Sequence, residues 1–250
     1  MKTIAFLNRK GGVGKTTSSV NVATGIAMKR KDVLLIDFDP QNNTSSLYDV
    51  NYDVSIDDVM KGTANIKDAL IPVSENLWLL PSSEALSNTE MEMRLQSDLP
   101  QHNRLLKALA QIKDQFDYCI IDCPPIINLL TVNAILSSNF IIIPIKPDVN
   151  AVSGFNATIE NILKLQRSWD LDLDFRVLFT IVNRNNEEQA IIEQITTLIP
   201  DKCLKTIIRS QPKPIAAASA NKRAVIKETS KDVPVAEDFR RLVAEIMEVI

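Results

Sequence analysis

The stretch N-R-K-G-G-V-G-K-T-T, Asn8 to Thr17, decides the fold. It follows an apolar, β-rich run (Thr3–Leu7) and leads into a segment of helical period (Thr16–Arg30). Arg9–Lys15 therefore reads as a strand-to-helix loop with three glycines in seven residues. Glycines in such a loop admit positive φ and let backbone N–H groups converge on an anion, and the helix N-terminus adds its partial positive charge. The spacing approaches the phosphate-binding pattern G-x-x-x-x-G-K-[ST], except that Arg9 stands where the first glycine belongs. Gly11, Gly12, Val13, Gly14, Lys15, Thr16 and Thr17 form the candidate nucleotide cradle, with Lys15 placed to reach the β- and γ-phosphates and the Thr16 hydroxyl to ligate Mg²⁺. A second lysine, Lys10, lies five positions earlier on a loop with work for only one ammonium group.

Outward from the loop, strand-like and helix-like segments alternate. Apolar runs occur at Thr3–Leu7, Val33–Ile36, Leu77–Leu80, Tyr118–Ile121, Phe140–Ile145 and Phe175–Val182. Helix-period segments include Asn103–Gln115, Leu129–Ser137, Ala151–Ser168 and Glu187–Leu198, while Leu47–Val73 reads as a peripheral insertion with short helices. Continuously apolar strands separated by helices indicate an α/β fold: a doubly wound, mostly parallel sheet with helices on both faces. At 250 residues, 45% hydrophobic and 24% charged, without an internal repeat or low-complexity linker, the chain is expected to form one domain over residues 1–250. There is no run of eighteen apolar residues and the chain enters its first strand at once, so a cytoplasmic location is expected. Cys119, Cys123 and Cys203 lack the paired spacing of a four-sulfur site and read as free thiols. His102, the only histidine, sits in the polar entry to a helix, which excludes His-centred hydrolysis and multi-His metal sites.

In sheets of this kind ligands bind beyond the carboxyl ends of the strands. The second strand ends in L-L-I-D-F-D-P-Q, where Asp37 and Asp39, two apart in an extended segment, point to the same side. Two such carboxylates repel unless a cation or water network lies between them, which fits a Mg²⁺-nucleotide site. Asp122 ends the strand Y-C-I-I-D-C-P-P as a carboxylate able to orient Mg²⁺ directly or through water. The guanine-reading N-K-x-D tetrapeptide is absent. Asn183-Arg184-Asn185-Asn186 occupies its place without the Lys or the Asp, so ATP is the expected nucleotide, with Asn183 beside it.

K-G-G-V-G-K-T (Lys10–Thr16), D-F-D-P-Q (Asp37–Gln41) and I-I-D-C-P-P (Ile120–Pro125), in that order, resemble the deviant Walker A, Walker A′ and Walker B motifs of the ParA/MinD ATPases. The likeness runs over essentially the whole chain, including Leu79–Ser83 and Pro144–Asp148. It implies an ATP-dependent homodimer in which two subunits sandwich two nucleotides. Lys15 would serve its own ATP and Lys10 would reach across to the partner's phosphates. Asp39 would position or activate the attacking water and Asp37 would support the site. Gln41–Ser46 and Pro124–Thr131 would be the switch segments. Asn42 departs from the glycine that many relatives carry after D-x-D-P-Q.

Family membership leaves the cargo open. A MinD-like protein needs a membrane-targeting amphipathic tail, whereas the tail V-A-E-D-F-R-R-L-V-A-E-I-M-E-V-I sets four acids against two arginines and reads as a core-docking helix, so no membrane partner is expected. The cysteines do not match an iron–sulfur pair at a dimer axis, and no C-terminal tyrosine cluster marks a kinase. Between Lys202 and Lys227 lie seven basic residues (Lys202, Lys205, Arg209, Lys213, Lys222, Arg223, Lys227) and no acid, in a chain of net charge −3. A segment of opposite sign to its protein is a candidate phosphate-binding face. ParA-like proteins bind DNA without sequence preference in this part of the chain, and Lys213 and Arg184 align best with the family's DNA-contacting arginines. The resemblance thus implies a partition ATPase, nucleoid-associated when ATP-bound and released by a ParB-like partner whose basic N-terminal segment completes the active site. A chain that starts at its first strand lacks the N-terminal helix-turn-helix region of larger plasmid ParA proteins, so no sequence-specific autorepression is expected. The alternatives are a MinD-like or cargo-positioning ATPase on a membrane or protein assembly, and a metabolic ATPase of the dethiobiotin-synthetase kind, against which Lys10 speaks.

Overall fold

The computed structural model describes residues 1–96, 101–183 and 185–250. In chain order the elements are β1 (Lys2–Phe6), α1 (Lys15–Ala27), β2 (Val33–Asp37), α2 (Asn43–Tyr48), α3 (Ile56–Lys61), β3 (Ile71–Ser74), β4 (Leu77–Leu80), α4 (Ala85–Leu95), α5 (Arg104–Ala110), β5 (Tyr118–Asp122), α6 (Leu129–Leu136), β6 (Phe140–Ile145), α7 (Ala151–Trp169), β7 (Asp174–Phe179), α8 (Asn186–Leu198), α9 (Pro212–Ala220) and α10 (Pro234–Val249). The strands form one seven-stranded sheet in the order β3-β4-β2-β5-β1-β6-β7. Only the β3–β4 pair is antiparallel.

Every residue of β2, β5 and β6 is buried, the condition that makes parallel strands read as unbroken apolar runs. Successive side chains go to opposite faces. Ala5, Leu34, Ile36, Ile121, Ile141 and Ile143 join the core layer beneath α3 to α8. Ile4, Phe6, Val33, Leu35, Ile120 and Ile142 join the layer beneath α1 and α10. The two layers are what "doubly wound" means here.

The tail helix α10 docks as its sequence pattern requires: Val235, Phe239, Leu242, Val243 and Ile246 are buried against α1. Gly25 of α1 allows this approach, because a Cβ there would lie 2.5 Å from Val243 Cγ2 and 2.6 Å from Ile226 Cδ1. No helix among the described residues is long and apolar enough to cross a membrane.

Several boundaries differ from the sequence reading, each for a local reason. Within the supposed insertion, Ile71–Ser74 pairs with β4 as an edge strand; its Pro72 lacks an N–H and masks the signal. α1 stops at Ala27 and Arg30 turns to φ 59°. β7 ends at Phe179, short of Val182, where Ile181 takes a positive φ. α4 and α9 lie outside the helix-period segments named from the sequence, and α9 opens with proline at its first position, where no N–H is needed.

Candidate nucleotide site and basic surface

The sheet register lines up the strand ends that carry the chemistry. Asp122 of β5 is level with Asp37 of β2 on one side and with Phe6 of β1 on the other. The loop after β1 is held from both flanks. Buried Asn8 donates from Nδ2 to the Pro144 carbonyl at 2.7 Å, and its Oδ1 accepts the Lys10 N–H at 3.0 Å. Thr180, just past β7, donates its hydroxyl to the Val13 carbonyl at 2.7 Å. Gly12 (φ 70°) and Gly14 (φ 81°) occupy the left-handed region that side chains resist, and Gly14 caps α1. The first turn of α1 holds no acid, so its positive dipole end is left for an anion.

The two lysines part company. Lys15 is buried with Nζ over its own loop, 3.2 Å from the Lys10 carbonyl. Burial lowers its pKa, against the pull of Asp122 and Asp39. The Lys10 ammonium turns away and pairs with Asp148 in the loop after β6, each side chain about a third exposed (32% and 30%). That contact helps hold the Asp148 carboxyl below its ordinary range.

The aspartates divide similarly. Asp37 is wholly buried; its Oδ2 accepts both the N–H (2.8 Å) and the hydroxyl (2.7 Å) of Ser45, and its Oδ1 faces the Asp39 N–H at 3.3 Å. Burial, reinforced by the charge of Asp122, pushes it up to about 7, against those hydrogen bonds. Its carboxylate thus clamps α2. Asp39, whose Oδ1 accepts the Gln41 N–H at 3.0 Å, lies within electrostatic reach of Lys15 and Asp122. Asp122 accepts the Thr44 hydroxyl on Oδ2 at 2.8 Å, while its buried Oδ1 makes no well-formed hydrogen bond, although the Thr16 hydroxyl is close enough to the carboxylate to stabilise its charge. Burial raises Asp122 to about 6, opposed by the hydroxyls of Thr16 and Thr44. An unsatisfied carboxylate oxygen beside a threonine hydroxyl at a helix start is the kind of oxygen donor set that Mg²⁺ takes together with its own waters.

A cleft of about 270 Å³ runs from Gly14 and Thr17 on α1 past Thr180 and Ile181 to Ser210–Pro212. Ile181, in its lining, has φ 56°, an outlier for a β-branched side chain. Asn183 is not in this lining. Its N–H and its Nδ2 both donate to Glu188, at 2.6 and 2.8 Å, so the residue expected beside the base is engaged by α8.

The basic segment does not form one free patch. Arg209 is held by buried Asp238, through Nε at 2.6 Å and Nη2 at 2.7 Å, with 30% of its side chain exposed. Arg223 pairs with Glu228 at 2.5 Å, and Lys222 lies 3.5 Å from Asp49. Lys205, Lys213 and Lys227 are exposed and form no ion pair among the described residues. Arg223, just past α9, lines a hollow with Thr16 and Thr17 at the start of α1, Lys222 lies 3.4 Å from the Ser46 carbonyl, and Lys213 is in the first turn of α9, whereas Lys227 sits by Ala27 and Met28 at the far end of α1. Arg184 lies outside the described residues.

Residues 1–175 match a family model described as an AAA domain. The chromosome-partitioning ATPase Soj of Treponema pallidum is 36% identical over 83% of this chain and 82% of its own length. The chain belongs to the Soj/ParA family of ATPases. The sporulation initiation inhibitor protein Soj of Bacillus subtilis, also 36% identical, covers 83% of both chains. Among solved structures, a candidate plasmid partition protein of Borrelia burgdorferi bound to AMPPNP superposes with a TM-score of 0.84 at 25% identity, over 100% of this chain and 99% of that one. The protein is thus a ParA-type ATPase. Its loop needs parts that the motif reading did not single out: Asn8 and Thr180 as braces, and Thr44 and Ser45 on the two strand-end aspartates. The run of three hydroxyl residues Thr44–Ser46, separated from D-F-D-P-Q by Asn42 and Asn43, is the available signal for the last pair.

Proposed function

We propose that the chain, acting as one domain over residues 1–250, is a DNA partition ATPase that works as an ATP-dependent homodimer. The nucleotide is ATP with Mg²⁺. Gly11–Thr17 would bind the phosphates, the cleft beside Ile181 the base, and Thr16 and Asp122 the metal. Mg²⁺ supplies charge neutralisation on the phosphate oxygens. Asp39, the carboxylate near Lys15, orients the attacking water, and Asp37 holds α2 in place behind it.

The observation that carries the reading is the separation of the two lysines. Lys15 lies inside its own loop, and Lys10 points out of it towards Asp148. A lysine on the phosphate loop that does not serve that loop is suited to a second subunit's nucleotide, where it adds positive charge from outside. Closing the dimer requires Lys10 to leave Asp148, a partly exposed pair and hence a low barrier. Dimerisation brings two copies of the α9 surface together, so Lys213, Lys222 and Arg223 act twice on non-specific duplex DNA. A ParB-like partner stimulates hydrolysis and releases the dimer, and the protein works in the cytoplasm on the nucleoid.

The test is binding to non-specific duplex DNA with ATP, ADP or no nucleotide across a salt series, for the wild type and Lys10→Ala. Salt-sensitive binding seen only with ATP and lost in Lys10→Ala supports the reading. ATP-dependent dimerisation without DNA binding in any state would remove the DNA carrier and turn attention to a protein or membrane cargo.

A further inference from the structure

We propose that Thr44 is a positioning residue of the metal site, fixing Asp122 so that one carboxylate oxygen is left for the metal and its water shell. Thr44 is fully buried near the start of α2, and its hydroxyl donates to Asp122 Oδ2 at 2.8 Å. The other oxygen, Oδ1, is buried and makes no well-formed hydrogen bond, with the Thr16 hydroxyl near the carboxylate. A carboxylate at the end of a strand can turn about its side-chain bonds. One hydrogen bond to one oxygen removes that freedom and sets which oxygen faces the Thr16 side.

The neighbouring residue explains how Thr44 is held. Ser45 binds Asp37 through its N–H and hydroxyl, and its hydroxyl oxygen accepts the Ser82 N–H at 2.9 Å. Asp37 and Asp122 are level on adjacent strands. Two consecutive residues of α2 therefore engage the two strand-end carboxylates: Ser45 anchors the helix on β2 and Thr44 reaches across to β5. The arrangement places the first switch helix and the metal carboxylate in one hydrogen-bonded unit. Outer-shell partners of metal-binding carboxylates are worth about 10- to 100-fold in metal affinity.

This inference rests on the reading of Asp122 as a metal residue, and the experiment separates the two. Binding of a fluorescent ADP analogue is measured while Mg²⁺ is titrated, for the wild type, Thr44→Val, Thr44→Ser and Asp122→Asn, with thermal unfolding of each. Thr44→Val raises the Mg²⁺ midpoint about tenfold or more and leaves Mg²⁺-free ADP affinity unchanged, and Thr44→Ser, which keeps the hydroxyl, restores the wild-type midpoint. If Thr44→Val does not fold, Thr44→Ala is read in the same way. A wild-type midpoint in the variants lacking the hydroxyl, or an equal shift in Thr44→Ser, overturns the inference and leaves Thr44 as packing. An Mg²⁺ response untouched by Asp122→Asn would instead overturn the metal-site reading beneath it.

Discussion

Replacing Asp238 with alanine tests whether Arg209 belongs to the scaffold or to a nucleic-acid surface. Asp238 is 4% exposed on α10 and receives the Arg209 N–H at 3.1 Å as well as two guanidinium donors. Removing one partner of a buried pair costs ~3–5 kcal/mol because the other charge is stranded. Arg209 keeps 30% of its side chain in contact with water, which recovers part of that loss, so about 2–3 kcal/mol is expected. In a chain of this size each kcal/mol shifts the midpoint by about 2–4 °C, giving a fall of about 4–12 °C. Arg209→Ala should cost a similar amount, and the double variant little more, the signature of two residues acting as one unit. Urea unfolding of the four proteins measures this directly. DNA affinity of the ATP-bound dimer, measured where each variant is folded, should respond alike to both single substitutions. A loss below about 1 kcal/mol for Asp238→Ala, or a fall in DNA affinity specific to Arg209→Ala, would refute the structural assignment.

Other substitutions probe other parts of the account. Gly25→Ala should gain up to about 1 kcal/mol of helix propensity but lose about 1–3 kcal/mol to overpacking against Val243 and Ile226. The net result is a less stable protein that Val243→Ala in the same chain restores; a Gly25→Ala protein more stable than wild type would show that α1 and α10 are not in tight contact. The raised pKa of Asp37, about 7 against 3.8, means that the folded chain holds this proton more tightly than the unfolded one. Its contribution to stability is therefore greatest below about pH 4 and is lost as pH rises towards 7. Asp37→Asn should flatten the fall in unfolding midpoint over that window, and an unchanged slope would contradict the burial of the carboxylate. Neutralising Lys213 should weaken DNA binding evenly across sequences and lower the salt slope by about one per site lost. A slope that stays put while affinity falls would mean that Lys213 acts on dimerisation instead.

Much of this architecture is legible in the chain because parallel strands are buried on both faces. Val33–Ile36, Leu77–Leu80 and Phe140–Ile145 each stand out as apolar runs, and each is a strand. The same logic fails at Ile71–Ser74, an edge strand with little burial and a proline, whose pairing is decided by the antiparallel return to β4. Glycine spacing gives the phosphate loop, but not Asn8 or Thr180, since a brace is defined by what lies across the sheet. Charge counting finds an excess of basic residues near the C-terminus yet cannot see that Arg209 is taken by Asp238, 29 residues away. The two lysines are the converse case. Their spacing already sets one apart, and the structure adds where each ammonium goes.

The most direct test of the division between those lysines is the oligomeric state by sedimentation velocity, with Mg²⁺ and ATP, with ADP, or with no nucleotide. The wild type should double its 27.9 kDa mass only with ATP. Lys10→Ala should still bind ATP yet remain a monomer in all three conditions. A Lys10→Ala protein that dimerises with ATP as the wild type does would contradict the central claim that Lys10 serves the nucleotide of a second subunit.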